Sequence, residues 1–594
     1  MSRNDEVARR LEEFADLLAA QDVEYKPRTY RRAAENIRDY PDDVAALAAD
    51  GEDAVAEIEG VGDAISAKIV EYFETGEIEE LEELRAEMPV EMAALTRVEG
   101  VGPKTVGALY EALGVQTLDD LESAARAEEI QNVSGFGPKT EQNILDGIEF
   151  ARTAHERQLL NRARPRGERV REALLEHDAV QRCELAGSIR RWKPTVGDVD
   201  VLVGSDDPGG VIDAFTGLEF ADDIIEAGTS KASLRIERVR VDLRVVDDEE
   251  FGAALQYFTG SKQHNVTVRN RALDQDLKVN EYGVFREAQS ASGSRTKSDD
   301  DVAEVEDPDS GQRVGKRVAG VDEAEMYDAL GMEWIPPEMR EDRGEVERAA
   351  AGELPDLLDH SEIRGDLHMH SEWSDGGNSI PELIAAADAF GHEYIAITDH
   401  ASGPGILSGV GLDDDELREQ IDRIDAAREE ADIEVFAGVE ANIEADGTIS
   451  VGADVLEALD LVVASPHSGL DGDGTDRLVE AASHPEVDIL GHPSGRRLNQ
   501  RSGMDLDIER LGAVAAEHDT ALEINANPGR LDLSGQAVKQ AQEAGATVVI
   551  DTDAHEPSSL EYIRYGVHTA RRGWAETEDV LNTRPVDKVR AFLD

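Results

Sequence analysis

From residue 361 onward, seven short apolar runs alternate with amphipathic stretches of helix length: IRGDLHMH, YIAITDH, IEVFAGVE, LVVASPH, VDILGHP, ALEINANP and TVVIDTDAH. Strand–helix alternation predicts a parallel sheet, and seven strands predict an α/β barrel with its site at the strand C-termini. Eleven of the 14 histidines follow residue 359, and six stand where a run ends: His368, His370, His400, His467, His492 and His555. Asp375, Glu440 and Asp553 occupy similar positions. Nine such ligands exceed one tetrahedral site and suit two or three Zn²⁺ or Mn²⁺ ions, with a carboxylate such as Glu440 as bridge. A lone histidine after a strand usually caps or packs, but six at the ends of five runs do not fit that reading. His392, His484, His518 and His568 lie away from these ends and are read as non-ligands.

At 594 residues, the chain is long enough for several buried cores. Its first residues, MSRNDEVARRLEEFADLL, lack an apolar core segment, and no run of about 18 apolar residues occurs, so a soluble, cytoplasmic chain without a membrane partner is expected. Cys183 is the only cysteine, which excludes disulfide scaffolds and cysteine-based zinc sites. A formal net charge of -69 argues against nucleic acid as a partner, since phosphate binding normally rests on Lys and Arg. Acid is spread over nearly every helix and Arg outnumbers Lys, however, a pattern expected of a halophilic source. At about 1 M salt the Debye length is about 3 Å, so diffuse repulsion toward DNA is largely screened.

Residues 1–150 read as helices carrying three similar turns, at Gly60-Val61-Gly62, Gly100-Val101-Gly102 and Gly135-Phe136-Gly137, each followed by an amphipathic helix. Paired glycines allow close backbone approach, and a helix N-terminus offers free N–H groups to a phosphate. Six arginines in RQLLNRARPRGERVR (157–171) are either a basic patch or a solvated helix face. Between about 180 and 250, VGDVDVLVG and RVRVDLRVV read as strands of a small sheet. Asp198 and Asp200 lie two apart and project from one face, with Asp242 in a second strand. Three converging carboxylates can hold two Mg²⁺ or Mn²⁺ ions for in-line phosphoryl transfer. In so acidic a chain the spacing alone says little. Flanking valines raise its meaning, because half-buried carboxylates repel one another without a cation. Upstream, Gly187-Ser188-Ile189-Arg190-Arg191 offers a turn, a hydroxyl and two guanidinium groups suited to triphosphate oxygens.

The order GSIRR, GDVDVLV, VDLRVV resembles the palm of family X DNA polymerases, within the nucleotidyltransferase superfamily, and the paired-glycine turns resemble helix-hairpin-helix DNA-binding motifs. The resemblance continues through Tyr257-Phe258-Thr259-Gly260-Ser261. It implies that Tyr257 and Phe258 meet the incoming sugar beside Gly260, that Asn265 and Arg269 face the nascent base pair and template-side minor groove, and that Ser188 and Arg191 contact the triphosphate. It also places Lys68 near a lysine that forms a Schiff base with deoxyribose 5-phosphate in some members. That role requires a depressed pKa, and a solvated helical lysine is the competing reading. The segment from DLHMHSEWSDG to DTDAH resembles the polymerase and histidinol phosphatase (PHP) domain, with all nine ligand positions filled and Glu440 as the bridging carboxylate.

The expected architecture is multidomain. A helical lyase-like region (1–88) and helix-hairpin-helix fingers (89–155) precede an α+β nucleotidyltransferase palm (156–250) and thumb (251–335). A polar, aperiodic insertion (288–319) interrupts the thumb, and a Pro- and Glu-rich linker (336–360) leads to an α/β (βα)7-like PHP barrel (361–594). The expected function is a monomeric DNA polymerase that takes gapped or primed DNA and dNTPs for short-gap base-excision repair or end joining. A metal-dependent 3′→5′ exonuclease accompanies it, with abasic-site cleavage or 3′-phosphate trimming as further chemistry. Two other readings are a DNA-docking module fused to a small-molecule phosphatase, and a non-catalytic repair scaffold. The intact carboxylates and filled ligand positions oppose both.

Overall fold

The computed structural model describes the chain apart from residues 1–2, 22, 24–25, 39–43, 57, 59, 97, 99–100, 143, 146, 149–156, 287–312, 314, 408 and 594. It divides into two compact units, 1–156 with 499–502, and the remainder.

The first unit is helical, as its sequence predicts. Its longer helices are Arg3–Ala20, Lys26–Arg38, Asp63–Thr75, Pro103–Leu113 and Leu118–Arg126, with shorter ones such as Glu79–Glu87 between them. Leu118–Arg126 starts on a capping box, in which Thr117 and Asp120 each satisfy the other's backbone N–H. One buried cluster runs from Val7 through Phe14, Ile69 and Leu109 to Ile148. The expected division at residue 88 therefore does not separate two cores. A Cβ on Gly107 would lie 2.0 Å from the Ala20 carbonyl oxygen, so these two helices meet at a distance only glycine permits.

The second unit begins with a two-stranded ladder, β1 (Gln158–Leu159) with β3 (Thr195–Val196). A five-stranded mixed sheet follows, ordered β2 (Arg182–Leu185), β4 (Val199–Gly204), β7 (Val239–Val246), β6 (Lys231–Ile236), β5 (Asp223–Ala227). β4 and β7 run parallel, with Asp200 opposite Asp242. Helix Leu160–Leu175 covers the sheet, and most of its arginines have partners although Arg162 and Arg169 are exposed. Arg164 stacks 3.5 Å from the Trp192 ring, Arg169 lies 3.8 Å from Phe220, and Arg171 pairs with Glu184 at 2.9 Å.

A three-stranded antiparallel sheet follows, β8 (Leu277–Asn280), β9 (Gly283–Arg286) and β10 (Lys316–Ala319). β10 corrects the expected extent of the insertion, whose last four residues belong to this sheet. Residues 288–312 lie outside those described.

The segment 336–360 also differs from the expected linker. Arg340, at 0 % exposure, donates to Glu323 and to the Ile335 carbonyl. Glu345 accepts from His264 at 2.6 Å, and Glu338 takes both His568 and Arg571 at 2.8 Å. Glu341 meets Arg191 at 3.0 Å and Arg572 at 3.2 Å. Hydropathy makes such a stretch look like solvated chain. Its carboxylates find cations up to 233 residues away, which no local pattern reveals.

The last domain is the expected barrel. β11 (Gly365–Met369), β12 (Tyr394–Ile397), β13 (Glu434–Asn442), β14 (Leu461–Ser465), β15 (Ile489–Leu490), β16 (Ala521–Asn525) and β17 (Val548–Asp551) are parallel neighbours in chain order. The ring nearly closes through a bridge from Met369 to Ala554 and the His370 N–H on the Ala554 carbonyl. Leu367, Tyr394, Phe436, Leu461, Ile489, Ala521 and Val549, one from each strand, share a buried cluster with Val589 of the C-terminal helix. These strands are buried on both faces, which explains continuous apolar runs rather than alternation. Among the described residues no helix is long and apolar enough to cross a membrane.

Candidate active sites

Parallel register places Asp200 beside Asp242, and Asp198 stands just before β4. Burial, then the charges of Asp198 and Asp242, push Asp200 up to about 7. A carboxyl so disfavoured as an anion fits a cation-binding triad. Arg240 holds both oxygens of Asp242, at 2.8 and 3.0 Å. Gly187 has φ 62, and a Cβ there would stand 1.9 Å from Asp200 Oδ2. Gly187→Ala should therefore displace Asp200 and slow primer extension at least about 100-fold, since a shift near 1 Å is enough for such a loss. Single-turnover extension on the folded variant measures it.

Several of the neighbouring residues have partners within the protein. Arg190 makes a paired contact with Glu323, at 2.7 and 2.9 Å, so it is structural. Arg191 donates to Glu341 and to the Thr259 carbonyl instead of standing free, while Ser188 is half-buried. Tyr257 and Phe258 pack edge to face at 5.2 Å, and Arg244 lies 4.2 Å from the Phe258 ring. Asn265 donates to the Tyr257 carbonyl at 2.7 Å, and a Cβ on Gly260 would come 2.5 Å from its Oδ1. Asn265 thus fixes the turn beneath the aromatic pair. Arg269 is exposed.

In the helical unit, Gly62 and Gly102 cap helices Asp63–Thr75 and Pro103–Leu113. A Cβ on Gly62, Gly102 or Gly137 would meet nothing within 4 Å, so no neighbour among the described residues demands glycine there. Open glycines before helix N-termini leave room for an outside partner such as a phosphate backbone. Gly60 and Gly135 have φ of 75 and 93, where glycine is unstrained, and Gly100 lies outside the described residues. At Lys68 the surrounding charges run opposite to the depressed pKa that a Schiff-base lysine requires. Burial lowers its pKa, but a 2.6 Å pair with Glu80 and the nearby Tyr30 carry it above the ordinary value.

The barrel brings all nine expected ligands to the strand C-termini. His370, Asp375, His400 and His555 form one set able to hold an ion, His368, His370 and Asp553 a second, and His400, Glu440 and His467 a third. Glu440 is central, with His492 at 3.0 Å and His467 at 3.3 Å from Oε1, and His400 at 2.6 Å from Oε2. Burial followed by His555 and His400 pushes His370 down to about 3, while Glu440 and Asp375 overcome burial to raise His400 to about 10. Glu440 and Asp553 are held well below the usual carboxylate range against the opposing effect of burial, Glu440 first by His467 and Asp553 first by His370. His368 Nε2, both nitrogens of His370, His400 Nδ1, both oxygens of Glu440, His467 Nε2 and His492 Nδ1 are buried without a hydrogen-bond partner. Seven of these eight atoms belong to the three sets, and buried donors that make no hydrogen bond there fit clustered cations.

Sequence reasoning missed the supports behind this cluster. Glu523 holds His368 Nδ1 at 2.6 Å and Asn442 holds His467 Nδ1 at 2.8 Å. Asp399 accepts from Ser371, Ser374 and Gln420, pinning the loop that carries Asp375. Such carboxylate–imidazole pairs fix the ring that meets a metal. A signal was present in Glu523 and Asn525, two apart in an otherwise apolar strand. The expected non-ligand His568 stacks on Trp192 at 3.4 Å.

Comparison with known proteins gives a consistent pattern. Residues 2–78 match a helix-hairpin-helix domain, 92–149 a SAM-like helix-hairpin-helix tandem, 254–341 the DNA polymerase beta thumb and 366–544 the PHP domain. The chain is 35 % identical over 548 residues to the DNA polymerase/3′-5′ exonuclease PolX of Bacillus subtilis, covering 91 % of each. It is 26 % identical over 300 residues to DNA polymerase lambda of Rattus norvegicus, 47 % of this chain and 49 % of that one. A probable phosphatase of Shewanella sp. (strain MR-4) is 31 % identical over 212 residues, 33 % of this chain and 77 % of that protein.

Proposed function

The chain belongs to the family X DNA polymerases with a C-terminal PHP domain, and from that premise we propose that it repairs DNA by filling short gaps or joining ends, trimming 3′ termini as it does so. It is a DNA polymerase and a 3′→5′ exonuclease. Asp198, Asp200 and Asp242 form the polymerising centre, and the nine residues at the barrel mouth form the nuclease centre. One observation carries the division of labour. The buried atoms without hydrogen bonds gather at the strand ends of the barrel, in the PHP domain, while the register-paired aspartates belong to the sheet beside the thumb.

Divalent cations, two of Mg²⁺ or Mn²⁺ at the aspartates and two or three of Zn²⁺ or Mn²⁺ in the barrel, would supply Lewis acidity and a hydroxide near neutral pH. The residues themselves orient. Gly187 leaves space for the Asp200 carboxylate, Asn265 sets the Tyr257–Phe258 turn toward a sugar, and Glu523 and Asn442 fix imidazole rings. Abasic-site cleavage and 3′-phosphate trimming would use the same barrel centre. The paired-glycine turns dock the gapped or primed duplex, dNTPs are the second substrate, and the acting species is a monomer in a cytoplasm rich in salt.

The test is primer extension and release of a 3′ label from one preparation in KCl of about 1 M, where charge repulsion is screened. Both activities should require divalent metal, be lost with chelator, and fall together with far-ultraviolet circular dichroism as salt is removed. Label release that persists after chelation refutes the barrel reading, and a dichroism signal unchanged by salt removal refutes the salt requirement.

A further inference from the structure

Arg530 lies on the turn that follows β16, and its Nε stands 3.6 Å from Asp553 Oδ2. Among the described residues no other Arg or Lys comes within ion-pair distance of any of the nine barrel ligands. The side chain is 14 % exposed, and its guanidinium donates no hydrogen bond among the described residues. Nearby arginines behave differently. Arg496 donates to the carbonyls of Arg530 and Leu531, and Arg477 to those of Ile443, Glu444 and Ser468. Those are structural clamps with their donors engaged. Arg530 keeps its donors unengaged beside a cluster built for an anionic substrate.

The turn is rigid. The N–H groups of Arg530 and Leu531 both bond the Asn527 carbonyl, at 2.8 and 3.0 Å, and Asn527 Oδ1 takes the Gly529 N–H at 2.9 Å. Asp532 is held by Ser494 at 2.8 Å. Leu531, adjacent to Arg530, is 2 % exposed and packs in the hydrophobic core beneath the palm sheet. The backbone that carries Arg530 is therefore held from both sides, by the barrel through Arg496 and by the palm through Leu531.

We propose that Arg530 binds a non-bridging oxygen of the phosphodiester that enters the barrel centre. Resting on the nuclease reading above, this adds a substrate contact outside the metal ligands. A phosphodiester carries its negative charge on two such oxygens and gains charge as the attacking oxygen adds. A guanidinium with unengaged donors stabilises both states, and the later one more. Simple neutralisation of Asp553 would favour a direct hydrogen-bonded pair, whereas Asp553 Oδ2 takes its hydrogen bond from Asn525 at 3.1 Å.

The experiment uses the full chain loaded with Mn²⁺, as wild type, Arg530→Met, Arg530→Lys and His370→Ala. Metal per chain is counted by plasma emission, affinity for inorganic phosphate is read from ³¹P relaxation, and nucleotide release from single-stranded DNA is timed. Arg530→Met should keep the wild-type metal content, bind phosphate about tenfold more weakly and release nucleotide about 100-fold more slowly, with Arg530→Lys between the two. Unchanged phosphate affinity overturns the proposal. Loss of metal from Arg530→Met also overturns it, because Arg530 would then act only by supporting Asp553. If Arg530→Met fails to fold, Arg530→Lys decides, and wild-type values for both affinity and rate refute the contact. A wild type that releases no nucleotide, yet whose phosphate affinity depends on Arg530, refutes the nuclease reading and leaves this contact standing.

Discussion

Replacing Asp198 and Asp200 together by asparagine should lower primer extension by about four orders of magnitude and leave release of nucleotides from 3′ ends within about twofold. The split follows from position, since neither aspartate lies among the barrel ligands. A second signature separates loss of a metal site from damage to the fold. Asp200 is raised from 3.8 to about 7, mainly by burial and then by Asp198 and Asp242. Between those pH values the chelated folded chain holds a proton that the unfolded chain releases, so stability falls as pH rises through that window and levels off above it. The double variant removes this contribution. Its melting temperature, compared with that of wild type in chelator, should gain most above about pH 7 and least near pH 4. A variant that melts lower than wild type at pH 8, or still extends primers, would refute the assignment of the triad.

His370→Ala should abolish 3′ nucleotide release, by about three orders of magnitude or more, with primer extension preserved. His370 belongs to two of the three candidate metal sets, so one substitution damages both. It is also the cleanest choice. Burial and the neighbouring imidazoles keep its ring neutral, so truncation removes no charge of its own. His368 behaves differently. Its removal leaves Glu523 at 0 % exposure without its 2.6 Å partner, at a cost of about 3–5 kcal/mol if that carboxylate stays ionised. Metal counting on His370→Ala should show fewer ions per chain than wild type, and an unchanged count with full nuclease activity would sink the assignment.

The barrel was legible because parallel strands buried on both faces write themselves as uninterrupted apolar runs, and each ligand stands at the end of a run or within a stride of it. The aspartate triad was legible only with its surrounding motifs, since β4 and β7 are about 40 residues apart and sequence does not print their register. Arg190 and Arg191 show the limit of reading charge from sequence. Both suited a triphosphate, yet Arg190 belongs to Glu323 and Arg191 reaches Glu341. The supports Glu523, Asn442 and Asp399 were hidden for a related reason, because a polar residue in an apolar strand announces burial without naming its partner. The segment 336–360 was misjudged through composition alone.

That segment has a consequence for how such a protein can be dissected. A cut at residue 360 would part Glu338 from His568 and Arg571, and Glu341 from Arg572, while Leu531, Tyr565 and Trp574 would lose the palm and thumb cores they fill. Neither fragment would keep its own surface. A gene encoding this chain is therefore a poor source of stand-alone modules, and mutations that loosen one domain will lower the stability of the other.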